Sequence, residues 1–227
     1  LANTQALGAA GNAATNFVVT PGTTIAFNAN IGNSFTTTGT GTVNIGGTGG
    51  TWSGTATLGG ATTLLFNGTN VRASGNLSDD GAVLSITSSG STTLSGTNSY
   101  TGETRLTAGI LTLGAMTSLP SDSNLVFDAA ADAFLAIPGD FARTLGTGDD
   151  QVHWIRSGGF MSTTAGTKQV DLGTDLVWGV TPNFIPTTGP LDLGGTLGTL
   201  DFVNNIALPN ASEYTVHDVG TLASHAV

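Results

Sequence analysis

The residues of this chain that could do chemistry collect in one short run. Asp149-Asp150-Gln151-Val152-His153 lies between Arg143 and Arg156, and two carboxylates are what cleaves a glycosidic bond. Neighbours on a strand point to opposite faces, so spacing alone does not make Asp149 and Asp150 a carboxylate pair. A turn would change that. Three readings follow: a solvated turn, which the spacing favours, a cation site, or a catalytic pair. Calcium takes about six to eight oxygen ligands, and the Gly-Gly-x-Gly-x-Asp repeat that supplies them in calcium-binding β-rolls is missing. Asp79-Asp80-Gly81 reads as a second exposed turn. His153, His217 and His225 lack zinc-ligand spacing. No Gly-x-Ser-x-Gly elbow occurs, and no glycine-rich stretch ends in the Gly-Lys-Ser/Thr that holds a nucleotide. The expectation is therefore no catalytic, cofactor-binding or metal residue. Trp52, Trp154 and Trp178 are the only large platforms on which a sugar ring could stack.

Composition excludes several partners. Five Lys or Arg stand against fifteen Asp or Glu, a formal charge of −10. Nucleic acid needs clustered basic side chains, and there are none; an anionic lipid surface is disfavoured for the same reason. Cysteine is absent, which removes thiolate metal sites and disulfide stapling together. No apolar run is long enough to insert in a membrane as a helix. The chain opens on Leu1 with no basic-then-apolar leader, and neither end looks like a cap. It reads as one segment, 1–227, of a longer extracellular protein, its partners being further domains of the parent chain, copies of itself or neighbouring surface proteins, and possible glycans.

What must position these residues is sheet. The 34 glycines and many Thr, Ser and Asn are poor helix formers. Short apolar bursts, Phe17-Val18-Val19, Thr24-Ile25-Ala26-Phe27, Thr42-Val43-Asn44-Ile45 and Thr63-Leu64-Leu65-Phe66, are punctuated by turn signals such as Pro21-Gly22 and Asn67-Gly68. The rhythm continues through Ala82–Ile86, Thr92–Leu94, Thr104–Leu106, Ile110–Leu113 and Leu125–Phe127. In the last four the alternation predicts half-buried strands, with Leu111 and Leu113 inward and Thr112 outward. Strands this short need a stack of neighbours. Larger units recurring at about 20–30 residues favour a parallel β-solenoid over a β-sandwich, the runner-up.

Residues 91–114, Ser-Thr-Thr-Leu-Ser-Gly-Thr-Asn-Ser-Tyr-Thr-Gly-Glu-Thr-Arg-Leu-Thr-Ala-Gly-Ile-Leu-Thr-Leu-Gly, resemble the autotransporter-associated β-strand repeat. Leu94, Gly96, Asn98, Tyr100, Gly102, Thr104, Leu106, Gly109, Leu111 and Leu113 fall where that pattern wants them, while Glu103 replaces a usual glycine and Ile110 a frequent threonine. Residues 66–86 resemble the degenerate unit that precedes it, so 66–114 carries the best-matched repeats. The resemblance implies a right-handed parallel β-helix, exported to the bacterial cell surface.

Residues 141–206 differ in texture, with Trp154 and Trp178 among glycine turns, and predict wider rungs. Val152, Trp154, Phe160, Val170, Leu172, Leu176 and Trp178 are the expected inward positions there, and Pro182, Pro186, Pro190 and Pro209 should fall between strands. Asn98 is expected in an Asx-turn or a ladder of stacked Asn, and Tyr100 over a corner with its hydroxyl at the surface. Gly102 or Gly109 should hold positive φ or a close backbone contact. The functional expectation is a non-enzymatic structural or adhesive rod, filament or surface-layer segment. A carbohydrate-binding or polysaccharide-degrading module is the alternative, and an ice-binding threonine face is disfavoured because the threonine rows do not persist.

Overall fold

A computed structural model describes residues 17–79, 85–209 and 215–220. Among them the chain is all-β, and the one helical turn is the 3-10 turn Met116–Ser118. Ala82-Val83-Leu84, Asp80-Gly81, His225 and both chain ends, each of which the sequence singles out, lie outside the described residues.

Phe17–Val19, Phe35–Thr37, Ala56–Leu58 and Leu77–Asp79 form a four-stranded sheet in sequence order. A second sheet, of eight strands, begins with Thr24–Ala26, Gly41–Gly46, Thr62–Phe66 and Ser85–Ser88. It continues through Thr104–Leu106, Leu125–Phe127 and Gln151–Trp154, with Thr144–Leu145 at its edge. A third, also of eight, begins with Thr51–Trp52, Val71–Ala73, Ser91–Leu94 and Gly109–Leu113. Ala133–Ile137, Gly158–Ser162, Leu191–Gly195 and Val216–Gly220 complete it. Phe141–Ala142, Thr167–Asp171 and Thr199–Phe202 make a three-stranded sheet. Leu176–Val177 pairs with Ile206–Ala207.

Every strand pairing is parallel among the described residues; the single antiparallel contact is the isolated bridge from Ala129 to Ser157. That excludes the antiparallel sandwich. From Phe35 to Asp79 the chain visits the first three sheets in rotation. Hydrogen bonds between consecutive visits join residues 19 to 25 positions apart, as from Trp52 Nε1 to Asn33 O, from Thr48 N to Asn28 Oδ1 and between the Thr37 and Thr62 hydroxyls.

Register turns the apolar alternation into columns. Ile25, Ile45 and Phe66 align, as do Leu106, Phe127 and Trp154, and all six are buried. Leu94, Leu106, Leu111, Leu113 and Phe127 belong to one continuous core, as the alternation predicts. Phe127 lies 4.8 Å from Trp154 in a stacked pair, the spacing at which neighbouring strands hold equivalent side chains. All seven expected inward positions between Val152 and Trp178 are buried, and the prolines fall between strands. Several strands depart from simple alternation, among them Leu125–Phe127, Ala133–Ile137 and Gly158–Ser162, which are buried throughout. Val126 faces outward yet is fully buried, flanked in register by Arg105 and His153, side chains large enough to cover a valine. Ala133–Ile137 is buried on both faces because Phe134, Ala136 and Met161 form a second apolar cluster, with Ile110 against it.

Candidate functional site

The four-stranded sheet ends at Leu77–Asp79, and the smaller sheet that contains Phe141–Ala142 has that strand at its edge. A groove of about 610 Å³ is lined by Thr97–Ser99, by Phe141–Arg143, and by Met116, Leu119 and Pro120 among others. The segment Ala115–Ser118 tightens into its 3-10 turn here, with Ser118 N donating to Ala115 O and Leu119 N to Met116 O.

Asn98 spans the break. Its Oδ1 accepts from Leu77 N at 2.9 Å and its Nδ2 donates to Ser118 O at 2.7 Å. Rather than closing an Asx-turn, the amide substitutes for a strand, satisfying one backbone group on each side. Ser99 N continues the ladder to Leu77 O.

Arg143 is the charged centre of the groove. Its Nη1 donates to Ser123 O at 2.6 Å and its Nη2 to Pro120 O at 2.8 Å, its Nε is 3.1 Å from Asp150 Oδ1, and its guanidinium sits 5.8 Å from the Phe141 ring centre. Burial pushes its pKa down, against the opposing pull of Asp150 and Tyr100. Asp150 reaches it from a turn with φ of 52°, a conformation that Asp tolerates better than most side chains. Asn124 Nδ2 fixes that turn through Gly146 O and Gly148 O at 3.0 and 2.7 Å, while Gly148 N donates to Gln151 Oε1.

Behind the groove, Tyr100 corrects the expectation of a surface hydroxyl. The residue is fully buried, and its oxygen lies 2.7 Å from Thr104 Oγ1, which lies 2.8 Å from Ser123 Oγ. Burial pushes the phenol up to about 12, against the lowering effect of the Thr104 hydrogen bond, the Arg143 charge and Ser123. Thr104 occupies an inward position between strands, so its hydroxyl needs these partners. Tyr100→Phe is expected to lower stability by about 1–2 kcal/mol in denaturant titrations, and adding Thr104→Val to that variant should recover part of the loss. An unchanged midpoint would show that the hydroxyl chain contributes nothing.

The run that sequence spacing singles out is split by the fold. Asp149 and Asp150 are both exposed; Asp150 turns to Arg143, whereas Arg156 turns away to Asp128, with Nε–Oδ1 at 2.7 Å. His153 sits on the outer face of its strand beyond Val126, and burial pushes its pKa down, with Glu103 and Asp128 opposing and Arg105 adding to the effect. Glu103, Arg105, Asp128 and Arg156 form a chain of ion pairs, Arg105 bonding Glu103 and Asp128 at 2.7 Å each. Asp79 is no free turn residue: its Oδ2 accepts from Thr101 N and Oγ1 at 2.7 and 2.8 Å. Trp52, Trp154 and Trp178 are all buried, so no indole offers a sugar-stacking platform. Asp122 and Asp140, which also line the groove, escape sequence reasoning because they lie in separate turns with no spacing that joins them.

Asp128 has a pH consequence. Burial raises its pKa, but hydrogen bonds and charge from Arg156 and Arg105 outweigh this and hold the carboxyl below its ordinary 3.8. A depressed folded pKa gives stability that is present above the unfolded value and lost as pH falls through the folded one. Melts between about pH 5 and 2 should therefore show a steeper acid loss for the native chain than for Asp128→Asn. Parallel curves would contradict the coupling.

No protein-family model, curated protein or solved structure matches this chain.

Proposed function

We propose that this chain is a right-handed parallel β-helix acting as a structural or adhesive rod on the outside of a bacterial cell, one segment of a longer surface protein, with no catalytic role. The observation that carries the reading is the parallel register: equivalent residues about one short repeat apart sit side by side through successive strands, as in Ile25, Ile45 and Phe66. Such a stack advances about 4.8 Å per added strand, which makes it a means of reach. The charge of −10 and the abundance of hydroxyl side chains keep it hydrated and discourage lateral collapse. The resemblance of residues 91–114 to the autotransporter-associated repeat supports export and self-association or contact with neighbouring surface proteins. Among the described residues no helix is long and apolar enough to cross a membrane.

Small-angle scattering is the direct test of the rod. A cross-sectional Guinier region and an elongated pair-distance distribution are expected, and a compact spherical profile would refute it. Incubation with acidic and neutral polysaccharides should release no reducing ends. Turnover abolished by Asp150→Asn would replace the structural reading with the degrading one.

A further inference from the structure

The groove beside Arg143 continues past Asp150 into a second hollow of about 270 Å³ that ends at Asp171 and Gly173. Asp122, Asp140, Asp150 and Asp171 line the two together, and Arg143 is the one cation among them. All four carboxylates belong to exposed residues; Asp140 Oδ1 accepts from Gln169 N and Asp171 Oδ1 from Gly173 N and Asn204 Nδ2, while the guanidinium is committed to Asp150, Ser123 O and Pro120 O. Among the described residues no three acidic or histidine side chains gather closely enough to hold a metal ion. The negative charge is strung out along the channel rather than focused at a point.

A second, independent observation concerns the backbone. Phe141–Ala142 is the edge strand of its sheet, and both residues line the groove. An edge strand offers main-chain groups to another extended chain. The volume of the main hollow falls in the range of about 300–1,000 Å³ typical of ligand sites. Met116 supplies apolar surface on which the alkyl stem of a long basic side chain can lie while its head reaches a carboxylate.

We propose that this channel is a docking site for an extended, lysine- or arginine-bearing segment of a partner protein, laid beside Phe141–Ala142 with its cations toward Asp122, Asp140 and Asp171. The occupant is not this chain itself, which carries only five Lys or Arg in 227 residues. The proposal stands apart from the rod reading, since an elongated scattering profile and peptide binding are separate measurements.

The test uses the 227-residue protein, isotope-labelled, with the blocked peptide Lys-Thr-Lys-Thr-Lys as probe. The same peptide with Glu for Lys, spermine and a neutral oligosaccharide serve as comparisons. Amide shifts confined to 97–99, 116–122, 140–151 and 171–173 are expected with the lysine peptide alone, with a dissociation constant below about 1 mM. Raising salt from about 20 to 200 mM should weaken it about tenfold, because the contacts are exposed and screened. Asp122→Asn with Asp140→Asn should weaken it at least about tenfold, whereas Asp132→Asn, outside the groove, leaves it unchanged; matching melts verify that the variants fold. Spermine binding as tightly as the peptide would remove the strand-docking role. Binding of the oligosaccharide instead, shifts elsewhere on the surface, or no binding to any probe would overturn the proposal.

Discussion

Phe127→Ala is expected to lower stability by about 3–5 kcal/mol, the cost of emptying a large buried aromatic position. Phe127 is fully buried between Leu106 and Trp154 in register, 4.8 Å from the Trp154 ring and 5.3 Å from that of Phe160. Its neighbours are anchored on parallel ladders, so the backbone cannot collapse into the void. Trp154 is further tied by its Nε1–H to Gly158 O at 2.9 Å. Denaturant titration should show a lower midpoint with an unchanged slope, together with altered near-ultraviolet dichroism from the tryptophans. Val180→Ala, at a position 65% exposed, should stay within about 0.5 kcal/mol of the native chain. A Phe127→Ala loss below about 1 kcal/mol would mean that the column is loosely packed.

Gly109→Ala should cost about 2–5 kcal/mol, combining two penalties. The residue has φ of 73°, which an L-residue adopts at a cost of about 1–2 kcal/mol. A Cβ there would also run into the carbonyl oxygen of Gly90 on the neighbouring turn of chain, a clash worth about 1–3 kcal/mol more. Gly49 separates the terms, since its φ is 70° but a Cβ there meets nothing within 4 Å. Gly49→Ala should therefore cost only the conformational part, about 1–2 kcal/mol. Equal melting shifts for the two variants would show that the close approach at Gly109 is not what selects glycine.

The sequence expectation named Gly102 beside Gly109, and the two differ. Both lie near corners, but positive φ belongs to Gly109 and not to Gly102. Composition signals that glycine is wanted at corners; which corner bends through the left-handed region depends on where the next strand must land. Tyr100 teaches the same lesson from the other side. Its apolar body predicts packing, and the burial of Thr104 in line with Leu125 is what draws the phenol inward to complete a hydroxyl chain.

The sequence alone determined the secondary-structure class, the lengths of the strands and most of the inward positions. Those follow from local physics: β-branched and apolar residues alternating over a few positions, cut by glycine, asparagine and proline, favour short strands with one apolar face turned inward. It also fixes the net charge and the absence of cysteine, because composition needs no coordinates. Only the tertiary structure decided what lies beside what. Asp149, Asp150, His153 and Arg156 are close in sequence and were separated, because adjacent strand residues diverge and a turn at Asp150 sends its carboxylate back to Arg143. Asp122, Asp140 and Asp171 are distant in sequence and were brought to one channel with it. Side-chain period fixes the face a residue takes, but inter-strand register fixes its neighbours, and register is set by how many residues each turn absorbs before the chain rejoins its sheet.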